Sequence, residues 1–461
     1  MQKYLIKNIT VVNEGVSGVK DIMIKNSRIE RIDKTISGDQ DVIEINGEGK
    51  YLLPGAIDDQ VHFREPGLTH KATIHTEARA AIAGGVTSFM EMPNTLPPAF
   101  TQELLEEKYE RAAHSSLANY SFYMGTSNDN ADEALKTNEK KKSVCGIKIF
   151  MGSSTGGLLV DNYITLDKIF RESELLIATH CEDEKIIRAN LEKIKKEKEI
   201  LQPSDHPVIR DEIACFESSL AAIQFAKKYN TRLHILHIST EKELQLFSNM
   251  VPLSEKRITS EVCVHHLHFT GFDYELLGNQ IKCNPAIKAP FNKQALWNAL
   301  LDDRLDVIAT DHAPHTMEEK GLMRDDNGRL IALKKDLYER SHAGLPLVQH
   351  SLLLMLHYVK EGRISLEKVV EKMSHAVATC FQIADRGYIR EGYYADLVIV
   401  DLNKPTMVST NNILYKCGWS PLEGFTMPAS ITHSFVNGRL IYENGRWDES
   451  EMGKRLEFKT L

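Results

Sequence analysis

The sequence predicts an α/β fold: a (β/α)8 TIM barrel flanked by a small β-sandwich built from both ends of the chain. Three observations carry this. Residues 1–53 run as short alternating apolar and polar stretches (Tyr4-Leu5-Ile6, Ile9-Thr10-Val11-Val12, Asp21-Ile22-Met23-Ile24, Ile29-Glu30-Arg31-Ile32) punctuated by Asn, Gly and Ser, which is strand and turn chemistry. Residues 387–461 do the same, through Leu397-Val398-Ile399-Val400 and then Ile431 to Tyr442, where Asn437-Gly438 is a hairpin turn signal. Neither end has enough strands to bury a core alone, so one sandwich from both is expected. Across residues 54–386 short apolar stretches alternate with helical patterns, the rhythm of a parallel sheet closed into a barrel.

The candidate barrel strands are 52–63, 86–92, 121–125, 146–151, 175–181, 233–239, 258–264 and 307–311, with helices over 73–83, 102–113, 166–172 and 217–228. A doubly wound open sheet is the alternative, but no Gly-rich phosphate-binding turn follows the first strand. The connection 316–342, rich in charge and glycine, is expected to be a mobile loop over the site. The formal net charge of −8 and the mixing of the lysines of 193–198 with glutamates point away from nucleic acid and membrane surfaces. No apolar run reaches membrane-spanning length, and the N-terminus lacks a signal-peptide apolar core. The seven scattered cysteines, without a Cys-x-x-Cys pair, fit a reducing, cytoplasmic compartment. The expected partner is a small-molecule substrate; the chain leaves homo-oligomerisation open.

The chemistry is concentrated at the ends of the candidate strands. Within Asp58-Asp59-Gln60-Val61-His62-Phe63-Arg64-Glu65-Pro66-Gly67, alternation puts Asp58, Gln60, His62 and Arg64 on one strand face, where an imidazole can hold a metal and a guanidinium can fork onto a carboxylate. Strand two ends Met92-Pro93-Asn94-Thr95, strand five at His180, strand six at His237-Ile238-Ser239, and strand eight at Asp311-His312-Ala313-Pro314-His315. Taken singly, a histidine is more often a satisfied structural residue than a ligand. A metal cluster accounts for several strand ends with one cause, and imidazole with carboxylate suits zinc or another first-row divalent ion. Lys148, in the apolar Gly146-Ile147-Lys148-Ile149-Phe150, should give up its proton and can then add carbon dioxide, forming a carbamate able to bridge two metals.

These motifs, with Asn284 in Lys282-Cys283-Asn284-Pro285, resemble the dihydroorotases of the amidohydrolase superfamily over nearly the whole chain. The resemblance implies one or two Zn2+ ions. The first would be held by His62, carboxylated Lys148 and Asp311, the second by His180, His237 and the same carbamate. It implies that Arg64, Asn94 and His315 hold a substrate carboxylate, with Asn284, Gly344 and Pro346 near the ring. The implied reaction is reversible hydrolysis of (S)-dihydroorotate to N-carbamoyl-L-aspartate, a step of pyrimidine (UMP) biosynthesis. A metal-bound hydroxide would attack the ring carbonyl, with Asp311 as catalytic proton shuttle. Hydantoinases, dihydropyrimidinases and allantoinases share the metal ligands but lack the arginine, since their substrates carry no carboxylate at that place.

The chain departs from the family pattern at one place. His-x-His is replaced by Gln60-Val61-His62, and an amide oxygen is a poorer transition-metal ligand than imidazole. Gln60 could be a weak ligand, a partner of a ligand, or the sign of an emptied first site. The rival readings are a hydrolase of neutral cyclic amides, opposed by Arg64 and His315, and a catalytically degenerate scaffold, supported by Gln60 alone.

Overall fold

The computed structural model describes residues 3–38, 41–152, 157–332 and 338–459. Its centre is a barrel of parallel strands: β1 (Ala56–Val61), β2 (Val86–Glu91), β3 (Asn119–Phe122, continued by Met124–Gly125), β4 (Ile147–Phe150), β5 (Ile177–His180), β6 (Leu233–Ile235), β7 (Ile258–Cys263) and β8 (Val307–Ala309). Neighbours pair in chain order. A parallel bridge from Val61 to His312 closes the ring, where the His62 N–H donates to the His312 carbonyl at 2.7 Å.

The stretch expected as one strand over 52–63 is two. Tyr51–Pro54 belongs to a second sheet and only Ala56–Val61 to the barrel. Gly55 lies between them, and a Cβ there would stand 2.1 Å from Thr87 Oγ1, so glycine lets the chain cross from one sheet to the other. Both halves are apolar and contiguous, which hides the break from periodicity.

The helices follow the predicted rhythm, with their starts set by caps. Ile74–Ala83 begins after Thr73, which forms a capping box with Thr76, and Gln102–Ser115 after Thr101. Tyr163–Glu172 and Glu212–Tyr229 start earlier than expected because Asn162 and Asp211 accept from the first free backbone N–H groups. Connection 316–342 carries a short helix (Met317–Lys320) and a hairpin (Leu322–Arg324 with Leu330–Ala332) rather than irregular chain throughout; 333–337 lie outside the described residues.

The second sheet interleaves the two ends of the sequence. Tyr51–Pro54 from the first part pairs antiparallel with Leu397–Asp401 from the last. Lys3–Asn13 pairs with Val42–Asn46 through its first half and with Tyr51–Pro54 through its second. Its register shifts between Ile6 and Ile9, where Asn8 takes a φ of 56°. The strand bends there, and the sheet encloses Tyr4, Ile6, Ile22, Ile24, Leu397 and Phe435. The chain end returns to the barrel, where Lys454 and Leu456 exchange backbone bonds with Tyr120 of β3. Among the described residues no helix is long and apolar enough to cross a membrane, and the seven cysteines are free and buried.

The Asn437-Gly438 turn joins Ser430–Val436 to Arg439–Glu443 with both residues at positive φ, 50° and 77°. It also presses on the Asn26-Ser27 turn: a Cβ on Gly438 would lie 2.3 Å from the Asn26 carbonyl oxygen. Gly438→Ala should therefore cost about 1–3 kcal/mol from strain and displacement of a fixed backbone. Gly445→Ala is the control, since φ there is 89° but nothing lies within 4 Å. Urea unfolding of the two variants checks this; equal losses would show that only φ matters.

Candidate active site

The site lies at the carboxyl ends of the barrel strands, in a cavity of about 400 Å³ walled by Gln60, His62, Arg64, Asn94, His180, His237, Asn284, Asp311, His315 and Gly344, together with Phe150, Ala313 and residues 339–343. Of the residues singled out from sequence, Lys148 and Pro346 do not reach its wall. Lys148 is fully buried, its Nζ 4.4 Å from the ring centre of Phe150. Pro346 is buried beyond Leu345, whose backbone bridges to His312.

On one side, β1 and β8 bring their ends together. His62 Nε2 stands 3.0 Å from Asp311 Oδ1, and Gln60 Nε2 donates to the same oxygen at 3.1 Å. The other nitrogen of His62 donates to Asn94 Oδ1 at 2.7 Å, which fixes the ring and leaves Nε2 facing Asp311. Asn94, expected to touch substrate, is thus first a partner of His62. Behind them the backbone N–H of Phe63 donates to Glu91 at 2.9 Å, and Glu91 is paired with Lys108 at 3.0 Å, both fully buried. This anchors the chain between His62 and Arg64. Asp58 lies deeper in the seam and accepts from the backbone and hydroxyl of Thr310; burial pushes its carboxyl up to about 8.

On the other side, His180 Nδ1 and His237 Nε2 converge at 2.9 Å. His180 Nε2 is held by Glu182 at 2.9 Å, and Glu182 is paired with Arg210. Burial alone would raise the Glu182 carboxyl, but Arg210 and His180 outweigh it and hold it at about 2. His237 has a φ of 40°, and its N–H donates to Glu261 of β7 at 2.9 Å. Beneath it Glu261 and Asp59 flank His234, at 3.6 and 3.1 Å; burial would lower that imidazole, but the two carboxylates push it up to about 9. Glu182, Glu261 and Asp59 escaped the sequence reading. Glu182, two residues after His180, was the one with an alternation signal.

The donor set fits divalent metal. Burial lowers His62, His180 and His237 into their neutral, ligating form. His62 and His180 each have one nitrogen held by an oxygen and the other turned inward, the arrangement that orients metal-bound histidines. Among the described residues, the buried polar atoms near them that lack a hydrogen-bond partner include Lys148 Nζ, His237 Nδ1 and Gln60 Oε1. Burial lowers the Lys148 amine to about 7, so much of it is uncharged near neutrality. Asn284 Oδ1 lies 3.1 Å from His206 Nε2, and Gly344, at a φ of 144°, packs where a Cβ would meet the Ala313 carbonyl at 2.4 Å.

Arg64 is 5 % exposed, at a φ of 68°, with Nε donating to the Pro314 carbonyl at 3.1 Å and Nη2 3.1 Å from His315 Nε2. Among the described residues no carboxylate pairs with it. Burial pulls its guanidinium down to about 10, still charged at neutral pH.

If Asn94 orients His62, Asn94→Ala should weaken metal binding about 10–100-fold. Zinc titration of the stripped protein measures this. Unchanged metal affinity with a raised KM would confine Asn94 to substrate.

Comparison with known proteins agrees with this architecture. The family model described as "Amidohydrolase family" matches residues 51–441. The dihydroorotase of Pyrococcus abyssi is 31% identical over 445 residues, covering 96% of this chain and 95% of that protein. The dihydroorotase of Methanosphaera stadtmanae is 30% identical, covering 96% and 97%. Among solved structures, L-hydantoinase from Arthrobacter aurescens superposes with a TM-score of 0.88 at 25% identity, over 97% of this chain and 98% of that one. D-Hydantoinase from Thermus sp. gives 0.84 at 24% over 98% and 97%, a likeness of fold. The chain belongs to the amidohydrolase family, whose members are metal-dependent.

Proposed function

We propose that this protein is a dihydroorotase, catalysing the reversible hydrolysis of (S)-dihydroorotate to N-carbamoyl-L-aspartate. The observation that carries the reading is Arg64: a buried guanidinium in the cavity wall with no carboxylate partner among the described residues. An unpaired buried cation is costly, and a substrate carboxylate relieves it where a neutral ring does not. The names of the relatives support the same substrate.

His62, Asp311 and Lys148 would hold one metal ion, and His180, His237 and Lys148 a second; zinc suits this set. As a carbamate, formed when its neutral amine adds carbon dioxide and loses a proton, Lys148 would supply oxygen ligands for this set. Such ions, when bound, polarise a carbonyl and make water acidic enough to act as a nucleophile at neutral pH. Arg64 and His315 receive the ring carboxylate, and Asn284 with the backbone at Gly344 borders the ring. Asp311 Oδ1 accepts from Gln60 Nε2 and faces His62 Nε2 at 3.0 Å. Its Oδ2 takes the proton released as water adds to the ring carbonyl and returns it to the departing ring nitrogen.

Arg64→Met should lower kcat/KM for dihydroorotate by an amount equivalent to on the order of 2–5 kcal/mol while sparing dihydrouracil and hydantoin. Assays in both directions with these substrates test it. A wild type that prefers the neutral rings would overturn the reading.

Gln60 bears on the metal. Its Nε2 donates to Asp311, leaving Oε1 as an uncharged oxygen for a cation. The ion held by His62 and Asp311 should therefore leave first on dialysis against a mild chelator, and Gln60→His should retain it longer. Metal content per subunit during dialysis reads this directly; two ions lost together would show that Gln60 is no handicap.

A further inference from the structure

His315 is 4 % exposed, and each of its ring nitrogens faces one donor and one acceptor. Nε2 lies 3.1 Å from Arg64 Nη2 and 3.1 Å from the Ala343 carbonyl. Nδ1 lies 3.2 Å from Lys71 Nζ and 3.5 Å from Glu319 Oε2. Burial, reinforced by Arg64, holds the imidazole well below the usual histidine range, so it carries a single ring proton. With that proton on Nδ1, the ring reaches across the longer gap to Glu319 and draws a guanidinium donor of Arg64 onto Nε2. With the proton on Nε2, Nδ1 accepts from Lys71, and the N–H, facing the Ala343 carbonyl in the free protein, stands beside Arg64 where an anion can share it. Only this second form offers an anion a donor from His315 beside that of Arg64.

Lys71 decides between them. An ammonium has three donors and no acceptor, so it cannot receive a proton from Nδ1. It is buried, and Glu319 Oε1 stands 3.0 Å from Nζ. Glu319 is itself fixed, by the Thr316 N–H at 3.1 Å and by His70 at 3.1 Å. The segment is tied to Arg64: the Leu68 N–H donates to the Arg64 carbonyl and the Lys71 N–H to the Leu68 carbonyl, each at 3.0 Å. Arg64 and the lysine behind His315 are therefore set by one connection.

We propose that Lys71 is a positioning residue that holds His315 in its Nε2–H tautomer, so that the substrate carboxylate meets two donors, Arg64 and His315. The identity of that carboxylate rests on the dihydroorotase reading; the tautomer is a property of the free protein. The test is 15N spectroscopy of the histidine-labelled full chain, with the His315 signals assigned by their loss in His315→Gln. The wild type is expected to show a protonated Nε2 and a bare Nδ1, and Lys71→Met to move His315 toward the Nδ1–H form. KM for dihydroorotate in Lys71→Met should rise on the order of tenfold, the worth of one charge-assisted hydrogen bond, with a smaller change in kcat. A wild-type His315 protonated on Nδ1 overturns the proposal, and this needs no variant to fold. Recovery of KM and tautomer in Lys71→Met/Glu319→Gln also overturns it, since Lys71 would then only neutralise Glu319. If the wild type turns over no dihydroorotate, the dihydroorotase reading fails alone; a protonated Nε2 that shifts in Lys71→Met still supports the tautomer assignment.

Discussion

The site depends on the seam where the last barrel strand meets the first. Parallel strands far apart in sequence must pair there, and hydrogen bonds hold them. His62 N–H donates to the His312 carbonyl, Val61 bridges to His312, and Asp58 accepts from Thr310. Beside this stitching, Gln60 and His62 of the first strand both reach Asp311 at the end of the last. A barrel closed one residue out of register would turn these side chains to the other face. Closure of the fold and assembly of the first half of the site are the same event.

The other half is built by buried charge. Glu182 is held as a carboxylate by Arg210 and orients His180. Glu261 receives the backbone of His237, whose φ of 40° is otherwise unfavourable for a side chain of that size. Asp311 and Arg64, at 47° and 68°, share this conformation. Strained backbone at three strand ends persists because hydrogen bonds to fixed partners surround it. The cost is met by the barrel and sheet cores, which contain no site residue.

Much of this was legible in the sequence because it rests on short-range pattern. The strand ends carrying His62, Asn94, His180, His237 and Asp311 could be located because polar residues interrupt apolar strands there, and all of them reach one cavity. The break at Gly55 was not legible, since the strands on either side share one composition and differ only in which sheet they join. Glu261 and Asp59 were hidden for a related reason: on fully buried strands, alternation does not say which side chain faces a histidine on a neighbouring strand. Lys71 and Glu319 sit in connections, where no period marks a functional residue, and only the fold brings them to His315. The short helix and hairpin within 316–342 were not legible, since charge and glycine content carry no period, whereas its place at the site was, and residues 339–343 line the cavity.

The glutamine at position 60 shows how structure changes the meaning of a substitution. As a ligand, an amide oxygen is a weak replacement for imidazole. As placed, its NH2 group donates to Asp311 Oδ1, and the amide orientation is fixed because an oxygen facing that carboxylate would be repelled. Oε1 is then buried without a donor, which by itself costs about 1–3 kcal/mol. An imidazole could not give Asp311 a hydrogen bond while also ligating through the same nitrogen; the amide can donate through one atom and offer the other to a cation. Gln60 thus exchanges ligand strength for a hold on Asp311, keeping that carboxylate in the geometry set by the seam.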